Sequence, residues 1–369
     1  MPDVFLHGRL RHLPLLETVL GTSATALTFA YEDLSDHLAV QDEVGGHVTL
    51  YHCAGQTARG IVLSALTEQQ IARIGFYTGR SVEERAPVTL PDGRVVFVLR
   101  APEQAPPDAA AWDLDAWQAQ EAPVDCAAAE EFMGYFGERS RQAVLGMMPM
   151  IRSRAASKVR AGQSLHGHGT RRGRIDIHER RRAYAHFFAL DDFEVQHDRF
   201  DGAMSPVLTR AVFIATDAAI LLPYDPIRDR VLLVEQMRMG PLARGDRSCW
   251  QLEPIAGHID PGETPQEAAR REAVEEAGLS LDLLEEVAQV YASPGNSTEF
   301  YYIFCGLADL PDSVAGIGGI ASENEDIRSH LLDFNELMTL VDDLQAANAP
   351  LVLAAYWLAA NRHRLRADA

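Results

Sequence analysis

One segment constrains this chain more than any other: Gly257-His-Ile-Asp-Pro-Gly-Glu263-Thr-Pro-Gln-Glu-Ala-Ala-Arg-Arg271-Glu272-Ala-Val-Glu275-Glu276-Ala-Gly278-Leu279. Gly257, Pro261 and Gly262 predict a tight loop whose backbone can approach a ligand. Thr264, with Glu267 three residues on, forms a capping box that starts a helix running to about Ala277, and Gly278 ends it. Ala268, Ala269, Ala273 and Ala277 give that helix a face small enough to pack tightly. Glu272 and Glu276 are four residues apart and share one face, with Glu275 beside them. Like charges so spaced weaken an isolated helix, whereas clustered hard oxygen ligands suit Mg²⁺, with Mn²⁺ as the alternative. Arg271 is placed to tie one of these glutamates down. A merely solvated acidic face leaves the joint spacing of the glycines, Glu263 and Arg271 unexplained.

The remainder of the chain sets the frame around this segment. At 369 residues, two domains are expected. A net charge of −20 argues against non-specific binding to nucleic acid or anionic membrane. It leaves room for an acidic substrate in a cleft whose field is locally reversed. Cys53, Cys126, Cys249 and Cys305 form no CxxC pair and read as isolated thiols of a reducing compartment. The first residues lack the apolar core of a secretory signal, and Leu351–Ala360 is too short to span a bilayer, so a cytoplasmic protein is expected.

Short strands at Val4–Leu6, Gly45–His52, Gly60–Ser64 and Val95–Leu99, with helical stretches at Pro14–Leu20 and Glu68–Ile74, predict a small mixed α+β domain over residues 1–148. Pro102–Pro107 reads as a connector and Cys126–Leu145 as one helix. Residues 149–186 read as a basic linker, and the basic run Arg152–Arg182 has no interleaved aromatics, which favours a solvated linker or inter-domain contact over a nucleic-acid arm. Strands at Phe187–His197, Val207–Ile214, Ala218–Pro223, Arg230–Glu235, Leu284–Tyr291 and Phe300–Gly306 follow, with a closing helix at Pro350–Arg364. Residues 187–369 therefore predict a layered α/β/α domain.

The glycine-to-leucine segment resembles the Nudix box, G-x5-E-x7-R-E-U-x-E-E-x-G-U, at every fixed position, with Ala273 where a larger aliphatic residue is common. The resemblance implies a Nudix α/β/α sandwich that hydrolyses a nucleoside diphosphate linked to a second moiety. Pro294, sixteen residues after Gly278, is similar to the proline that marks the ADP-ribose pyrophosphatase subgroup. Phe187-Phe188, Asp201–Ser205, Leu222–Pro226, Leu233–Arg238 and Ser322–Arg328 look like the same subgroup. By resemblance, the metal would be held by the Ala256 carbonyl and by Glu272, Glu276 and Glu275. Arg271 would support the glutamates. Phe187 would stack on adenine, Arg210 would reach substrate from a partner subunit, Arg238 would contact the phosphate or terminal ribose, and Glu299 would lie near the diphosphate. Glu323, or Glu325 in its place, would be the general base, on a glycine-rich lid at Gly316–Ala321. A homodimer with exchanged strands ahead of the catalytic fold is implied, with AMP and ribose 5-phosphate as products. Hydrolysis of another nucleotide sugar such as GDP-mannose, or a non-hydrolysing sensor, are the alternatives; the intact glutamates and Arg271 argue against the sensor.

The N-terminal Val4-Phe5-Leu6-His7-Gly8-Arg9-Leu10-Arg11 resembles the opening strand and loop of the gamma-glutamylcyclotransferase-like fold. That family's catalytic glutamate corresponds to Thr78 here, so a binding or dimer-supporting domain is expected rather than a second active site. The combination of the two domains is similar to Nudix proteins associated with tellurite resistance.

Overall fold

In the computed structural model, residues 3–41, 48–80, 84–163, 173–281, 283–319 and 325–368 are described, and the chain divides into two units, Met1–Leu165 and His166–Ala369. The first unit runs β1 (Val4–His7), α1 (Leu13–Leu20), β2 (Thr28–Gln41), β3 (Val48–Ser64), α2 (Glu68–Thr78), β4 (Ala86–Thr89), β5 (Val95–Val98) and β6 (Glu103–Gln104). Four helices follow: α3 (Leu114–Gln120), α4 (Ala122–Gly134), α5 (Arg141–Leu145) and α6 (Met148–Gln163). The strand order is β2-β3-β1-β5-β4, with β6 beside β3. Strand alternation divides the apolar residues between two faces. Leu6, Ile61 and Leu63 join Leu15, Leu16, Ile74 and Trp117 in one core, while Phe5, Val62, Val96 and Val98 form another.

Three sequence expectations take a different form in the structure. The single helix over Cys126–Leu145 is two, because the chain turns between Gly134 and Arg141 with Gly137 at φ +84° and Ser140 caps a new helix. The connector at Pro102–Pro107 contains β6. Much of the basic stretch 149–186 is built into regular structure. On α6, Arg154 pairs with Glu131 at 2.6 Å, Lys158 with Glu130 at 2.5 Å and Arg152 with Asp125 at 2.5 Å. These cations therefore neutralise the acidic face of α4. The arginines at 180–182 lie on β7 (Ile175–Ala185), where Arg180 and Arg182 both pair with the buried Asp191 of the next strand.

The second unit opens with β7, β8 (Ala189–His197) and β9 (Leu208–Ile214), which form a three-stranded antiparallel sheet in that order. Then come β10 (Ala218–Asp225), β11 (Arg230–Met237), α7 (Met239–Arg244), β12 (Trp250–Glu253), β13 (Ile255–His258), α8 (Pro265–Ala277), β14 (Leu283–Tyr291), β15 (Phe300–Leu307), β16 (Ile317–Gly318), β17 (Ile327–Asp333), α9 (Phe334–Asp342) and α10 (Ala349–Ala367). The main sheet is ordered β14-β15-β10-β11-β17-β16, with β13 paired to β10 and β12 to β11. Strand β10 is buried at every position, as expected for a strand covered on both faces. Its Ala218, Ile220, Leu222 and Tyr224 pack with Leu337, Leu351, Ala355 and Leu358 of α9 and α10. Its Ala219 and Leu221 pack with Ala268, Ala269 and Ala273 of α8. The expected α/β/α sandwich follows directly from this alternation, and Ala273 is small because it is fully buried against the sheet.

Gly60 in β3 shows how tightly the core around Phe5 is filled: a Cβ there would stand 2.1 Å from the Phe5 ring. Gly60→Ala should destabilise the chain by about 1–3 kcal/mol through overpacking. A urea titration followed by circular dichroism checks this, and an unchanged first transition would contradict it.

Candidate active site

The acidic face of α8 is organised by one guanidinium. Arg271 donates through Nε to Glu263 Oε1 at 3.0 Å, and through Nη1 to Glu272 Oε1 at 2.6 Å and Glu275 Oε2 at 3.0 Å. Its Nη2 reaches Glu263 Oε2 at 3.0 Å and the His258 carbonyl at 2.9 Å. Helix α8 starts at the expected capping box of Thr264 and Glu267 and ends at Gly278 with φ +63°. The loop before it is pinned by the same network, since Glu263 also accepts from the Asp260 backbone N–H at 3.1 Å.

Gly257 has a different role from the one its position suggested. It lies in β13 rather than in the loop, and a Cβ there would fall 1.7 Å from Glu272 Oε1. Its missing side chain makes room for the Glu272 carboxylate against the backbone. Gly318 similarly permits close approach, since a Cβ would meet the Glu276 carbonyl at 2.3 Å. At that position the glycine-rich run packs against the end of α8.

Glu276 shares the inward face of α8 with Ala269 and Ala273 and is 2% exposed. Its Oε2 is buried without a hydrogen-bond partner. Burial first, then repulsion from Glu272 and Glu325, pushes its carboxyl up to about 8, opposed by Arg238 and by the Ala256 backbone N–H that bonds to it. Burial likewise raises Glu272 to about 7, against the pull of Arg271. Glu299 is raised by burial and accepts a hydrogen bond from Tyr301. Two neighbouring carboxylates held at this energetic disadvantage, Glu272 partly buried and Glu276 buried with an orphaned oxygen, are the donor chemistry that a hard divalent cation satisfies. Among the described residues no three acidic, histidine or cysteine side chains are already gathered as a cage. The cation donors available are thus Glu272 and Glu276 beside the Ala256 backbone, with Glu275 tethered to Arg271.

The other expected residues fall into two groups. Arg238 joins the cluster: its Nε donates to Glu253 Oε2 at 2.6 Å, and Asn348, the N-cap of α10, donates to Glu253 Oε1 at 3.1 Å. Phe187, in the turn between β7 and β8, sets its ring 5.7 Å from His258 and 4.8 Å from Phe188. Glu325 faces Glu272 and Glu276 closely enough to raise both. Glu323 lies outside the described residues. Arg210, on β9, bonds to the Thr209 carbonyl at 2.8 Å and not to the acidic cluster. Pro294 is exposed in the turn between β14 and β15, a turn that clips onto β9 where Phe213 N–H donates to the Asn296 carbonyl at 2.8 Å.

Sequence reasoning missed Glu253, Asn348 and His258. The first two had only faint signals, an acid just before the glycine strand and an N-cap asparagine ahead of Ala349-Pro350. Burial pushes the His258 imidazole below its usual value, and the His258 carbonyl accepts a hydrogen bond from Arg271.

The geometry is matched by likeness to known proteins. A family model described as NUDIX domain matches residues 215–354. An ADP-ribose pyrophosphatase of Escherichia coli is 38% identical over 192 residues, covering 52% of this chain and 91% of that protein. One of Haemophilus influenzae is 36% identical over 194 residues, covering 52% and 89%. A GDP-mannose pyrophosphatase of Pectobacterium atrosepticum is 31% identical over 169 residues, covering 46% and 86%.

A carboxyl with a raised folded-state pKa binds its proton more tightly when folded. Its stabilising contribution is therefore fully present below the ordinary value of 4.5 and is lost as pH rises through about 8. In chelator, wild-type stability should fall between pH 5 and pH 8, and Glu276→Gln should flatten that fall by on the order of a few kcal/mol. Urea unfolding at the two pH values measures this; parallel behaviour of the two proteins would contradict it.

Proposed function

Since the chain belongs to the Nudix family of pyrophosphohydrolases, we propose that its C-terminal domain hydrolyses the diphosphate of ADP-ribose to AMP and ribose 5-phosphate. The observation that carries this reading is the Glu272–Glu276 pair, Glu276 buried with an orphaned oxygen and Glu272 clamped by Arg271, in a domain 38% identical to an ADP-ribose pyrophosphatase. Glu272 and Glu276, with Glu275 and the Ala256 carbonyl, would hold Mg²⁺, or Mn²⁺ in its place. That ion neutralises charge on the diphosphate and acidifies water. The chain's own residues supply the rest. Glu325, or Glu323, takes the proton from the attacking water. Arg238, oriented by Glu253 and Asn348, neutralises charge on the phosphate or terminal-ribose side, and Glu299 borders the diphosphate. Phe187 offers an exposed ring for the adenine.

The same reading includes a cytoplasmic homodimer. Ile175, Ile177 and Tyr184 of β7 are 68%, 62% and 58% exposed, an apolar surface that an exchanged strand pair would cover. In that arrangement Arg210 serves the partner's site, in keeping with its separation from the acidic cluster of its own chain. Among the described residues no helix is long and apolar enough to cross a membrane. The likeness to a GDP-mannose pyrophosphatase at 31% identity makes GDP-mannose the second substrate to compare.

Product analysis with ADP-ribose, GDP-mannose and NADH, with and without Mg²⁺, tests the assignment. AMP should form from ADP-ribose only with the metal, and Glu276→Gln should lose more than about 10²-fold in kcat. Metal-independent turnover, or preference for GDP-mannose, would overturn it. Asn348→Ala should raise KM for ADP-ribose roughly fivefold with little change in kcat, the worth of one hydrogen bond positioning Arg238; an unchanged KM would remove Asn348 from the site.

A further inference from the structure

Strands β2 and β3 form a long antiparallel hairpin whose ladder is broken beside a pair of histidines. Ser35 stands opposite Thr57 and His37 opposite His52, so Asp36 alone faces residues 53–56. The break is held in place: Asp36 and Gly55 take left-handed backbone at φ +57° and +77°, and the Asp36 carboxylate accepts from the Gly55 backbone N–H at 2.8 Å. Bulges re-aim the side chains next to them. Here the first rung past the break is half-buried His37 against exposed His52, with ring centroids 5.4 Å apart and planes at 67°. His37 Nδ1 lies 2.7 Å from the Ser35 carbonyl. A carbonyl only accepts, so Nδ1 carries the proton and the lone pair of the neutral ring is on Nε2. His52 Nδ1 lies 3.5 Å from the Gln104 side-chain amide on β6. Turned so that its oxygen faces Nδ1, that amide would leave Nε2 of His52 open in the same way.

We propose that His37 and His52 form a cross-strand chelate for a late first-row divalent transition-metal ion such as Cu²⁺ or Zn²⁺. An ion about 2.0 Å from one nitrogen of each ring would lie about 3.2 Å from each ring centroid. A centroid separation of 5.4 Å then corresponds to an N–metal–N angle of about 115°, close to tetrahedral. The Ser35 carbonyl supports the site by holding His37 in the ligating tautomer. Among the described residues no third histidine, cysteine or carboxylate joins the pair, so water completes the coordination and the site is an open one. Imidazole nitrogen suits Cu²⁺ and Zn²⁺, whereas Mg²⁺ takes oxygen ligands, so this pair and the acidic face of α8 would select different ions. A bound ion ties β2 to β3 at the rung where their ladder resumes, and so stabilises the hairpin by mass action.

Titration of the full chain with Cu²⁺ in excess Mg²⁺, followed by electron paramagnetic resonance, tests the proposal. Wild type should bind a Cu²⁺ ion whose spectrum shows hyperfine splitting from two nitrogens. Excess Zn²⁺ should displace that ion, and further Mg²⁺ should not. His52→Ala should weaken the binding by about 10- to 100-fold or more, since loss of a mere supporting partner costs that much, with circular dichroism unchanged. His37→Ala should do the same; if it unfolds the first unit, His52→Ala alone decides. Absence of the two-nitrogen signal from wild type, its displacement by Mg²⁺, or a signal of unchanged strength in His52→Ala would each overturn the proposal.

Discussion

The second unit depends on a guanidinium that holds several carboxylates at once. Arg271 bonds to Glu263, Glu272, Glu275 and the His258 carbonyl, so the loop before α8, the helix itself and the end of β13 share one electrostatic anchor. Its own protonated form is strongly favoured by those partners. Without it, Glu272 and Glu275 would repel on the same helix face and the loop carrying Glu263 would lose its tie to that face. The bidentate contact with Glu263 also fixes the direction from which Nη1 meets Glu272.

Around this anchor, burial and charge are set against each other. Ala268, Ala269 and Ala273 draw α8 onto the sheet, and the same helical period brings Glu272 and Glu276 toward the interior. A helix that packed by hydrophobicity alone would have no carboxylate where Glu276 lies. Gly257 and Gly318 remove the two side chains that would prevent this close packing. The local fold thus accepts an energetic penalty at the position proposed to hold the cation.

Much of this was legible in the sequence because short-range periodicity encodes it: the capping box, the helix length, the paired glutamates and the C-terminal Gly278 all occupy their expected places. The layered sheet was legible too, from the succession of strands and flanking helices over residues 187–369. What the sequence could not display were contacts between distant residues. Asn348 reaches Glu253 across 95 positions, and nothing local to either residue announces the pair. The basic stretch misled for the same reason, since its arginines read as solvated until Asp125, Glu131 and Asp191 are seen opposite them. Gly257 was correctly singled out but for close approach to a ligand, whereas the group it accommodates is the protein's own Glu272.

We propose that the acidic face of α8, clamped by Arg271, is a divalent-cation site. Titrating the full chain with Mn²⁺ while following the free-ion electron paramagnetic resonance signal measures it most directly. Wild type should remove the free-ion signal, Glu276→Gln should weaken binding strongly, and Arg271→Ala should weaken it by roughly 10- to 100-fold as the residue supporting the ligands. Mn²⁺ binding that is unchanged in both variants would contradict it.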